Sequence, residues 1–103
     1  MPRFLVTYHG GEFPDDPEAA AGARAAFMQW AAAKGDALVE PGAPIQGSTT
    51  VSGAGVAAGT AAEPMTGWSV IEADDAAAAA GLLADHPFVS RGGVLQVSEP
   101  AEI

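Results

Sequence analysis

Two histidines, His9 and His86, and two of the four basic residues, Arg24 and Arg91, are the side chains through which this acidic chain could do chemistry. An imidazole titrates near neutrality and can pass a proton in either direction. A guanidinium stays charged and fits a carboxylate or phosphate with paired hydrogen bonds. Trp30 and Trp68 supply flat apolar surface beside them, and Glu12, Asp15, Asp16 and Asp85 are the neighbouring acids. This set predicts a cleft in which Arg24, Arg91, Trp30 and Trp68 hold a small anion. It also offers His86 or His9 as an acid–base catalyst, with a pairing of His86 to Asp15 or Asp16 as one arrangement. With no cysteine there is neither a thiolate nucleophile nor a sulfur ligand, and the two histidines lack metal-ligand spacing, so no metal and no cofactor are expected. The Gly53-Ala54-Gly55 run does not follow a buried strand or open a helix, so it is no phosphate loop.

Each of these residues also has a purely structural role to fill. His86 precedes Pro87 where a helix should stop, and an imidazolium there is favoured by the dipole and can bond free carbonyls. It shares the Ala79, Leu82, Leu83 face, so packing accounts for it equally well. His9 beside Gly10-Gly11 reads as a solvated loop residue. Arg24, three positions before Phe27, either snorkels along its aliphatic stem or lines a pocket.

The elements that must position them are legible from end to end. Arg3–Tyr8 is a strand with Phe4, Val6 and Tyr8 on one face and Leu5 on the other. After a loop over His9–Pro14, Asp15-Asp16-Pro17-Glu18 opens a helix that runs to Lys34 and is capped by Gly35. Its core face is Ala20, Ala23, Phe27, Trp30 and Ala31. Asp36–Gln46 is a strand interrupted at Pro41-Gly42, which suits a sheet edge. Ser48–Ala62 is a loose hairpin turning at Gly53-Ala54-Gly55, or a partly disordered segment. Trp68–Ala73 is an apolar strand, Asp74 and Asp75 cap an alanine–leucine helix that ends at His86-Pro87, and a Gly92-Gly93 turn starts the strand Val94–Ser98.

This order predicts one α+β domain over residues 1–103, a ferredoxin-like βαββαβ unit with a four-stranded antiparallel sheet. Strands one and three lie at its centre and both helices on one face. His9, the start of helix 1, Trp68, His86 and Arg91 then fall at one end. The other sheet face stays bare although the strands carry apolar residues on both sides. The core has few large side chains, so two identical copies are expected to pair sheet to sheet through that face. Thirteen acids against four bases give a net charge of −9, which disfavours nucleic acid and anionic membranes as partners. The apolar run in Met1–Gly11 is too short for a signal peptide and no ~20-residue apolar span follows, so a cytoplasmic protein is expected.

The segments TGW, VIEADD, HPF and GGVLQVSEP around the alanine helix, with RFLVTY and AAAKGDALVEPGAPI in the first half, resemble the YCII-related proteins, also called the YciI-like or DGPF family. The resemblance implies a dimeric α+β barrel. The DGPF motif is absent, its place taken by Ala61-Ala62-Glu63-Pro64-Met65. In some members of the family a helix-1 histidine is set against an aspartate near the end of strand 1. By that comparison these positions hold Arg24 and about Gly10, and an arginine is no general base at neutral pH. The resulting expectation is a homodimer that binds a small, anionic molecule in a pocket between helix 1 and the sheet. The alternatives are a small isomerase, lyase or hydrolase using His86 or His9, and a structural dimerisation module.

Overall fold

The computed structural model describes residues 1–11, 15–59 and 64–101. In chain order these form β1 (Arg3–Gly10), α1 (Pro17–Lys34), β2 (Leu38–Pro44), β3 (Thr49–Ser52), β4 (Gly55–Ala58), β5 (Gly67–Glu72), α2 (Ala76–Leu83), α3 (Pro87–Ser90) and β6 (Gly93–Ser98). The main sheet has the order β2-β5-β1-β6, every pair antiparallel. The architecture is α+β and compatible with the ferredoxin-like arrangement, and β1 and β5 hold the centre as expected.

Local chemistry sets the helix ends. The Asp16 carboxylate accepts from the Ala19 N–H at 2.7 Å with Pro17 in the first turn, and Gly35 closes α1 at a φ of 57°. Asp75 caps α2 in the same way through Ala78, at 2.8 Å. The second helix does not reach His86. It ends at Leu83, and a separate one-turn helix begins at Pro87 with His86 as its N-cap. A residue before proline is pushed out of the helical region, and proline suits a first helical position. Pro87 therefore starts one helix as well as barring the other. His86 accepts from a free N–H rather than donating to free carbonyls, which corrects the helix C-terminal role expected for it.

The core lies between one sheet face and the helices. Phe4, Val6 and Ile71 from the sheet meet Trp30, Ala79 and Leu83. Along α1 only Trp30 is buried. Phe27 and Ala31 are half-buried against the core, while Ala20, Ala23 and Phe27 turn toward a cavity. The molecule measures 44 × 43 × 19 Å, and its smallest dimension is that of one helix layer on one sheet. The opposite sheet face carries Leu5 and Val94, 41% and 61% exposed. β2 is an edge strand with register shifts between Leu38 and Ala43, as Pro41-Gly42 implied. β3 and β4 pair around Gly53-Ala54, so the hairpin reading holds over Thr49–Ala58. Residues 60–62 of that segment lie outside the described residues.

Candidate functional site

A cavity of about 460 Å³ opens between α1, the start of α3, the β2 bulge and the end of β1. Its walls are mostly apolar, from Ala20, Ala23, Phe27, Pro44 and Phe88. Arg24 and Arg91 are both exposed and both line it, which puts these two residues at its rim, with the Arg91 guanidinium 5.8 Å from the centre of the Phe88 ring. The volume is in the range of small-molecule sites, ~300–1,000 Å³. Sequence residues far apart meet here for local reasons. Gly93 leaves room for the Phe88 ring, which a Cβ would overlap. At the other wall Gly42, at a φ of 71°, lets the β2 bulge lie against the Trp68 carbonyl.

The floor is a hydrogen-bonded series whose direction is fixed at both ends. The Phe88 backbone N–H can only donate, and it gives its proton to His86 Nδ1 at 3.0 Å. The Pro41 carbonyl can only accept, and takes the Ser69 hydroxyl proton at 2.8 Å. Ser69 has one proton, so Tyr8 must donate to Ser69 Oγ across 2.7 Å. Tyr8 Oη is then the acceptor for His86 Nε2–H at 2.9 Å. The imidazole is thereby neutral and protonated on Nε2. The Thr66 hydroxyl donates to the Tyr8 carbonyl at 3.1 Å and is committed as well.

Electrostatics agree with this assignment. His86 is 2% exposed, with Trp30 at 4.3 Å, Tyr8 at 5.1 Å and Phe27 at 5.7 Å between ring centres. Burial lowers its pKa to about 4, Arg91 adds to the lowering, and Asp85 opposes it. Burial raises the Tyr8 pKa, which keeps the phenol protonated as donor to Ser69. The pair is uncharged at neutral pH. The one basic lone pair of His86 is already bonded to Phe88, so the ring as it stands has none to offer a substrate.

The sequence-predicted residues divide clearly. His86, Arg24, Arg91 and Trp68 line the cavity, and Trp30 backs it through its contact with His86. The register sets Trp68 opposite Thr7, on the sheet face away from Tyr8, so its backbone side borders the cavity. His9 is elsewhere. Alternation along β1 puts it with Thr7 on the bare face, where Nδ1–H donates to the Pro64 carbonyl at 3.0 Å and Nε2 meets the Thr7 hydroxyl at 2.7 Å. It does not share a site with His86. Of the two acids proposed as partners of His86, Asp15 is exposed ahead of α1 and Asp16 is engaged elsewhere, while the His86 ring bonds Tyr8 and Phe88. Asp16 caps α1, and Asp85 accepts from Trp30 Nε1 at 3.0 Å and pairs with Lys34, whose bond holds the carboxyl below its usual range. Glu12 lies outside the described residues. The cation that acts on His86 is Arg91 rather than Arg24.

Tyr8 and Ser69 were missed as site residues. Tyr8 reads as core because it alternates with Phe4 and Val6, yet a phenol on a buried face needs a polar partner, and that need is the available signal. Among the described residues no buried side-chain polar atom lacks a partner, no three metal-ligating side chains cluster, and no helix is long and apolar enough to cross a membrane. No family model, no curated protein and no solved structure matches this chain.

Proposed function

We propose that this protein is a YCII-related homodimer that binds a small anionic molecule in the cavity between α1 and the sheet. The observation that carries the reading is the placement of Arg24 and Arg91, half of the chain's four basic residues, at the mouth of an apolar cavity. In a chain of net charge −9 a site for a neutral molecule has no need of them. The cavity favours a ligand over a purely structural module, and the occupied lone pair of His86 favours binding over proton abstraction. The reading predicts that 3-phenylpropionate binds at least tenfold more tightly than 3-phenylpropionamide in calorimetric titration. Arg24→Ala and Arg91→Ala should each weaken the acid by roughly tenfold, the loss of one charge-assisted contact, and leave the amide unchanged. Equal affinity for acid and amide would overturn it.

The second half of the proposal concerns assembly as a dimeric α+β barrel. The bare sheet face carries Leu5 and Val94, and Trp68 and Val70 lie on it by register. Eight buried hydrophobic residues among those described are a small core for a lone domain, and a second copy on that face would enlarge it. Light scattering at micromolar concentration should return twice the 10.2 kDa chain mass, and Val94→Asp should shift it toward one. A folded monomer under those conditions would refute this assembly.

A further inference from the structure

We infer that the ligand enters with its charge outward and its apolar body inward, and that its buried end carries no hydrogen-bond acceptor. The inference rests on the anion-binding reading and narrows it to a class: monoanionic acids with a hydrophobic tail. The two ends of the cavity differ in what they offer. At the exposed end stand Arg24 and Arg91, and a guanidinium has donors only; that of Arg91 stands 5.8 Å from the centre of the Phe88 ring, where the two ends meet. At the floor stand Tyr8, His86 and Phe88, the last two buried.

Among the described residues, every donor of the hydrogen-bonded series at that floor is committed. The Phe88 N–H is given to His86, His86 Nε2–H to Tyr8, the Tyr8 hydroxyl to Ser69, and the Ser69 hydroxyl to the Pro41 carbonyl. The Thr66 hydroxyl is given to the Tyr8 carbonyl, and the Gly42 N–H to Glu40 Oε1 at 3.2 Å. What the floor can still offer is a lone pair on Tyr8 Oη, which has accepted one proton and donated another. A methyl group, a phenyl edge or a hydroxyl donor can end there. A carboxylate, ester or ether oxygen would be desolvated with nothing to bond, and unpaired burial is heavily disfavoured, most of all for a charge. The same lining would orient a ligand without any charged residue inside the cavity.

The test is a series on one body, 3-phenylpropionate with hydrogen, hydroxyl, methoxy or carboxylate at the para position, titrated into the full chain and followed by NMR. The para-hydroxy acid should bind within about threefold of the parent, since it can donate to Tyr8. Para-methoxy should bind about tenfold more weakly, and para-carboxylate at least about a hundredfold more weakly. In Tyr8→Phe the His86 Nε2–H loses its acceptor and faces the cavity, so the methoxy penalty should shrink or reverse. A para-carboxylate that binds within threefold of the parent, while the acid-over-amide preference persists, overturns the orientation and leaves the anion site standing. Failure of every acid to bind overturns both.

Discussion

Replacing Gly42 with alanine should cost the protein at least about 3 kcal/mol and disorder the β2 wall of the cavity. Two independent effects act at this position. The φ of 71° is strained for any residue with a Cβ, and the Cβ would run into the carbonyl of Trp68, a backbone group that cannot swing aside. The sheet would have to release β2 from β5 at the bulge, and with it the Pro41 carbonyl that terminates the Tyr8–Ser69 series. Urea denaturation of Gly42→Ala against wild type measures the loss, and loss of ligand titration reports the wall. Gly22→Ala is the matched control. It lies within α1 with open space around its would-be Cβ, and should stabilise by roughly 0.5–1 kcal/mol. Equal stability of Gly42→Ala and wild type would refute the close approach of β2 to the Trp68 carbonyl.

The second large effect is an acid-triggered loss of stability through His86. Its pKa is about 4 in the folded chain, against an ordinary value near 6.5. A lowered histidine pKa means that the unfolded chain binds the proton more readily. Stability from this group is therefore complete above about pH 6.5, declines as pH falls toward 4, and changes no further below it. The full excursion amounts to about 3 kcal/mol, taken from ~1.4 kcal/mol per pH unit over the shift. Protonation would also place a proton on Nδ1 where the Phe88 N–H now points, so the cap of α3 would be lost together with the neutral ring. Chemical denaturation from pH 7.5 to 4 should show this slope, and His86→Asn, which can still cap α3, should flatten it in that window. A wild-type curve as flat as the variant's would refute the assignment. A bound anion at the mouth would offset the field of Arg91 and raise the His86 pKa, and in Arg91→Ala that coupling should be lost.

Much of the fold could be read from the chain because its signals are local. Asp16-Pro17, Gly35 and Asp75 set helix ends through backbone groups within four residues of themselves. The strands announced their faces by alternation, and Pro41-Gly42 marked the edge because a missing N–H and a positive φ are properties of single residues. His86-Pro87 shows where local reading stops. A proline forbids the preceding residue a helical backbone, but whether the chain then turns away or starts a new helix depends on what Phe88 packs against, and that is Tyr8, Gly11 and Gly93.

The cavity itself was half legible. Topology brought the ends of α1 and β1 and the segment from His86 to Arg91 together, which is why Arg24, Arg91 and His86 could be grouped from sequence. It also groups His9 with them, wrongly, because one residue along a strand reverses the face and β1 continues past Tyr8 to Gly10. From the sequence alone one could determine which side chains can carry charge and which elements hold them. Only the tertiary structure decided which way each proton points. That decision needed Phe88, His86, Tyr8, Ser69 and Pro41, five residues from four separate segments, at hydrogen-bond distance. No spacing along a chain encodes such a meeting, because hydrogen bonds of this kind are satisfied in space and not in sequence.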